Sequence, residues 1–189
     1  CILGARPAFP VPTISMKSFL LGTAVGILAL GGARFALAPL APSTHYHANW
    51  AVFVDGERLD LSADRFMEEI SACGAAGSGL RPEDRVHMHG NVHDVVHVHH
   101  DGAAWGHLLA NLDMAVGEDF LALPDGRRLT AGAGPARPVF IVNGLVVPSV
   151  HNRLIRSGDR LLISWSDADP GEILEREYPR VADDAEEYN

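Results

Sequence analysis

The chain has 189 residues, a formal net charge of −9 at pH 7 and 47% hydrophobic residues. That length accommodates one ordinary domain with its own core and leaves residues for appendages. The acidic balance argues against a nucleic-acid partner, because phosphate binding needs a basic face and Lys17 is the single lysine.

Residues 1–15, "CILGARPAFPVPTIS", lack the pattern of a domain and precede a natural signal start at Met16-Lys17, so they read as a non-domain extension. From Ser18 to Ala33 the chain runs sixteen residues without a charge. This is the apolar region of a signal peptide or a short anchor, and extension through Arg34 to residue 38 approaches the roughly 20 residues of a span. Proline follows Ala38 and Ala41, which disfavours cleavage there and favours an uncleaved anchor. Cleavage after Ala33 would instead release a secreted domain. Lys17 on the short side orients the rest of the chain outside the cytoplasm. Residues 39–44 form a linker, 45–168 an extracytoplasmic domain and 169–189 an acidic helix or tail. Cys73 is the only cysteine beyond Cys1, which excludes internal disulfide or C-x-x-C chemistry in the exported part.

Within the domain, "HANWAVFVDGERLDLS" alternates on both sides of Asp55-Gly56 and predicts a tight β-hairpin. Ser62 is a candidate cap for a short helix over "ADRFMEEISAC", with Phe66, Ile70 and Cys73 on one face. "GAAGSGLRPED" reads as a glycine-rich loop, and "RVHMH" and "DVVHVHH" as strands. "AAWGHLLANLDM" predicts a helix burying Trp105, Leu108, Leu109 and Leu112. Hairpins are expected around Asp125-Gly126 and Asn143-Gly144, and "GDRLLISW" supplies a last strand. Asp169, Pro170 and Glu172 have the arrangement of a helix start. The fold class expected is α+β, a small mixed sheet with hairpins and two or three short helices, reminiscent of a β-grasp.

Six of the ten histidines fall between Arg85 and Asp101, in "RVHMHGNVHDVVHVHHD". Three H-x-H pairs stand out: His45/His47, His87/His89 and His97/His99. On a strand, residues i and i+2 point to the same face about 7 Å apart, so two imidazoles can converge on one cation and a third from a neighbouring strand completes a facial set. The expected ligands are His87, His89, His97 and His99, then His45 and His47, with His93 and His100 in reserve. All-imidazole ligation suits copper or zinc, and Cu²⁺ binds tightest in the divalent series. Cys73 reads as a small core residue, and Met88, between two candidate ligands, faces the other way. His107 is expected on the surface of its helix and His151 in a loop. The alternatives are unliganded histidines on a solvated strand face and a metal-free cluster sensing pH.

H-E-x-x-H, G-x-S-x-G, C-x-x-C-H, P-loop and dinucleotide fingerprints are absent from the sequence. "HMHGNVH" is a partial match to a cupin core, but "PSVHN" is too short for the second cupin motif.

"HYHANWAVFVDGERLDLS", "RVHMHGNVHDVVHVHHDGAAWGHLLANLDM", "FIVNG" and "DRLLISW" resemble a group of short membrane-anchored, histidine-rich proteins of bacteria and archaea. The resemblance runs from about Thr44 to the C-terminus and implies an anchored, exported domain without implying an activity. Such sequences sometimes carry a protein-disulfide isomerase label, which a domain containing only Cys73 does not support. The expected function is capture, delivery or buffering of a transition metal outside the cell membrane. A His₃ metalloenzyme with an open coordination position, and a metal-free assembly module using the acidic C-terminus, are the competing classes.

Overall fold

The structure, a computed structural model, describes residues 15, 20, 23, 44–68, 81–132 and 134–188. The fold below is that of the unit from Ser43 to Asn189. Among the described residues no helix is long and apolar enough to cross a membrane. The expected anchor at 16–38 lies outside them, apart from residues 20 and 23.

Two turns with left-handed residues at both central positions set the frame. Asp55 and Gly56 (φ 52° and 80°) join β1 (Tyr46–Val54) to β2 (Glu57–Arg58). Asn143 and Gly144 (φ 52° and 77°) join β8 (Arg137–Val142) to β9 (Leu145–Val147). Both match the hairpin geometry whose twist suits paired strands. Between them come β3 (Val86–His87), β4 (Val95–Val98), and a separate antiparallel meander of β5 (Ala115–Val116), β6 (Phe120–Ala122) and β7 (Arg128–Thr130). The last strand, β10 (Arg160–Ser166), completes a sheet ordered β3-β4-β1-β10-β8-β9, with β2 also on β1. The first and last strands, β1 and β10, run parallel at its centre and every other pairing is antiparallel. The class is therefore α+β with a mixed sheet.

Alternation along the strands divides the buried residues between two faces. Ala48, Trp50 and Val52 of β1 join Val86, Met88, Val96, Val98, Leu161 and Ile163 in the larger core. Helix α2 (Trp105–Asn111) covers this face with Trp105, Leu108 and Leu109, and Leu112 follows at its C-terminus. Gly106 lies so close to the chain at His151 that a Cβ would stand 2.4 Å from the His151 carbonyl oxygen, so the "WGH" step needs glycine. The opposite face carries a smaller core in which Ala51, Phe53, Val139, Ile141 and Leu162 meet Ile173 and Val181. Ile173 belongs to α3 (Pro170–Arg176), whose start has the expected chemistry: the Asp169 side chain accepts from Gly171 N at 2.8 Å and Pro170 follows it.

Two local expectations change. Of the helix expected over residues 63–73, the described residues form a 3₁₀ turn, Asp64–Phe66, that ends where Met67 turns extended (φ −106°, ψ 134°). Glu68 N then donates to the Met88 carbonyl at 2.8 Å, so edge pairing competes successfully with helix propagation. Ser62 does not cap that turn; Ala63 occupies the position, and Ser62 N donates to the Asp60 carboxylate. The rest of that expected helix, with Cys73, lies outside the described residues. The loop expected before β3 contains a short helix, α1 (Pro82–Arg85), opened by Pro82 at its first position.

Asn49 ties the C-terminal segment to β1. Its Nδ2 donates to Asp184 Oδ1 at 2.8 Å and to the Asp94 carbonyl at 3.3 Å, while its Oδ1 accepts from the Asp184 and Ala185 amides at 3.1 and 2.9 Å. Each bond is worth about 1 kcal/mol net, and orphaned buried partners cost more. Replacing Asn49 with Ala should lower the unfolding free energy by roughly 2–4 kcal/mol in denaturant titrations and speed amide exchange at Asp184 and Ala185. A change under about 0.5 kcal/mol with unaltered exchange would contradict this role for Asn49.

Candidate metal centre

Register brings the histidines together. β4 lies between β3 and β1, and His97 is opposite both His87 on β3 and His47 on β1. Three imidazoles thus form one row across three strands, on the face opposite Val86, Val96, Val98 and Ala48. His45, His89 and His99 extend their own strands' i, i+2 pattern beside that row. The rings are in contact throughout: His45–His47 centroids are 4.7 Å apart, His47–His97 4.3 Å, His89–His97 3.6 Å, and His99 lies 4.9 Å from both His45 and His87.

Neighbouring loops hold the start of β1 in place. The Tyr46 hydroxyl donates to the Ile155 carbonyl at 2.8 Å, Gly158 N donates to the His47 carbonyl at 2.9 Å, and Asn49 N donates to the Asp159 carbonyl at 2.8 Å. On the far strand, α1 orients His87. The ring Nδ1 lies 2.8 Å from the Glu83 carbonyl oxygen, which can only accept, so Nδ1 carries the proton and Nε2 the lone pair. His47 Nε2 and His97 Nδ1 share a hydrogen bond of 2.7 Å. The Nε2 of His99 is buried and has no hydrogen-bond partner among the described residues.

Among the described residues one group of metal-ligating side chains closes to within 4.8 Å, and it consists of His45, His47 and His97. His47 and His97 are 1% and 5% exposed, whereas His45 is exposed and free of that confinement. Of the residues expected from sequence, His87, His89 and His99 surround this trio. His93 lies in the turn before β4, within electrostatic reach of Asp60. His100 turns away after β4, its Nδ1 against the Asp101 carbonyl. Neither His93 nor His100 stacks on the cluster's rings. His107 differs from expectation: it is half-buried, and its Nδ1 accepts from Ala104 N at 2.9 Å, closing the first turn of α2. His151 is exposed in its loop. Tyr188, which sequence reasoning did not single out, brings its ring to 6.2 Å from His47 because Asn49 anchors the segment before it.

Burial and mutual repulsion disfavour the charged forms of His89, His97 and His99. Desolvation, then the charges of His89, His47, His87 and His45, push the His97 pKa down to about 2. Desolvation, then His87 and its neighbours, lower His99 to about 4, and His89 is lowered for the same reasons. Neutral imidazole is the ligand form, so these three side chains present lone pairs rather than charges near neutral pH.

Unfolded histidine titrates near 6.5, so between that value and the folded ones the unfolded chain binds more protons. Stability of the metal-free protein is full above about pH 6.5 and is lost as pH falls toward about 4 for His99 and about 2 for His97. Urea midpoints should decline steadily from about pH 6.5 to 5, and a midpoint unchanged across that range would contradict the buried neutral cluster.

Comparison with known proteins adds no relative to this geometry: no protein-family model, curated protein or solved structure matches the chain.

Proposed function

We propose that the domain binds a transition-metal ion, copper or zinc, and captures, buffers or delivers it outside the cell membrane. The observation that carries this reading is the convergence of His45, His47 and His97 within 4.8 Å. Imidazole nitrogens stand about 2.0–2.1 Å from zinc, which puts tetrahedral neighbours roughly 3.3 Å apart. The 2.7 Å separation of His47 Nε2 and His97 Nδ1 therefore needs to open by only about 0.6 Å, with the exposed His45 swinging inward. Crowded imidazoles on a strand face suit that exchange of a shared proton for a cation.

Binding is favoured over catalysis by the donor set. The converging group contains histidine alone, and the carboxylates nearest in sequence are engaged: Asp94 pairs with Arg58 at 3.4 Å and Asp101 accepts from the Thr44 hydroxyl at 2.6 Å. A hydrolytic site needs a base beside the metal-bound water. Location outside the cytoplasm, on an anchor or after secretion, is supported by the uncharged stretch from Ser18 to Ala33 behind Lys17 and by the resemblance to membrane-anchored histidine-rich proteins. The β-grasp reading is supported by the parallel β1–β10 pair between flanking hairpins.

Titration of the purified protein with Cu²⁺ and with Zn²⁺ at about pH 7.5 tests the proposal. Saturable binding is expected, weakened by about tenfold or more in His45→Ala and in His97→Ala and unchanged in His151→Ala. Absence of stoichiometric binding, or equal affinity in all three variants, would sink it.

A further inference from the structure

Six histidines are more than one ion can use from this face. His47, His87 and His97 project from one face of the β3-β4-β1 strands, and His45, His89 and His99 pack beside them just outside the strands. A single cation therefore meets donors from one side, and three imidazoles fill a facial set. The trio His45, His47 and His97 accounts for half of them. Three remain, and they are not idle surface residues. His87 is 2% exposed, and its Nδ1–H bond to the Glu83 carbonyl directs the ring's lone pair to Nε2, the arrangement that orients metal-ligating histidines. His99 keeps a buried Nε2 with no hydrogen-bond partner among the described residues, an atom whose burial costs about 1–3 kcal/mol unless something satisfies it. His89, half-buried, lies 5.8 Å ring to ring from His87, and His87 lies 4.9 Å from His99.

We infer that the histidine face holds two metal ions, one on His45, His47 and His97 and a second on His87, His89 and His99. The inference rests on the metal-binding reading above. The H-x-H pairs at β1 and at β3 each serve one ion whole, and the pair at β4 is divided, His97 going to one ion and His99 to the other. His97 is committed by its 2.7 Å contact with His47. The second set is more open than the first, since only the first closes to within 4.8 Å, so the ions bind in order, the first tightly and the second more weakly. The second position takes the same class of ligand, a borderline transition-metal ion accepting imidazole nitrogen. Because the His89 and His97 rings stack at 3.6 Å, the two ions are close neighbours.

The test is stoichiometry on the full chain. Elemental analysis after Cu²⁺ loading and desalting should give two ions per chain, filled in two steps. His45→Ala should retain one ion and lose the tight step; His89→Ala should retain one and lose the weak step. Both residues lie outside the two cores, so these variants should fold, and the wild-type count decides the matter without them. Electron paramagnetic resonance of the doubly loaded protein should display dipolar coupling between the Cu²⁺ centres, absent in either variant. A wild-type count of one, with His89→Ala indistinguishable from wild type, overturns the second site and leaves the binding function standing. A count of zero overturns the binding function and the second site with it.

Discussion

The strict two-residue alternation of β1, β3 and β4, locked by what lies on the far side of the sheet, decides everything about the histidine face. Trp50, Met88, Val86, Val96 and Val98 are all fully buried in the larger core. Burying side chains of this size contributes about 1.5–3 kcal/mol each. A slip of one residue would bring His47 and His97 into that core and expel Trp50 and Val96. Apolar packing, not attraction between imidazoles, therefore sets the row His87–His97–His47. The site exists because the core permits only one register.

That arrangement has an electrostatic consequence. Imidazoles packed at ring separations of 3.6–4.9 Å cannot all charge, and burial removes the water that would solvate them. Hydrogen bonds satisfy some of the ring nitrogens, such as His87 Nδ1 on Glu83 and the His47–His97 pair. The buried His99 nitrogen has no such partner among the described residues. A cation satisfies several lone pairs at once, which is why an array that is costly as bare polar groups becomes favourable as a ligand set. The C-terminal segment bears on the same place: Asn49, two residues along the histidine face from His47, fastens Asp184 and Ala185, and Tyr188 reaches the edge of the cluster.

Much of this was legible in the residues. The Asp55-Gly56 and Asn143-Gly144 turns and the cap at Asp169 are local signals, and each has the conformation its chemistry requires; the H-x-H spacing is a local signal as well. The grouping of the histidines was harder to read. Sequence proximity ranked His87, His89, His97 and His99 ahead of His45 and His47, yet the tightest convergence pairs β1 with His97, fifty residues away from His47. That contact depends on β1 being central in the sheet, with β10 parallel on one side and β4 on the other, a non-local pairing that no spacing reveals. Likewise the period that begins at Phe66 suggested a helix, but at Met67 the backbone is extended and Glu68 bonds to Met88 along the sheet edge. The carbonyl that orients His87 comes from a four-residue helix too short to leave a periodic pattern.

X-ray absorption at the metal edge of the zinc- or copper-loaded protein interrogates the coordination shell itself. A first shell of about three imidazole nitrogens near 2.0 Å is expected, with the outer-shell scattering of histidine rings and no sulfur. A shell dominated by carboxylate oxygen, or one containing sulfur near 2.3 Å, would contradict it.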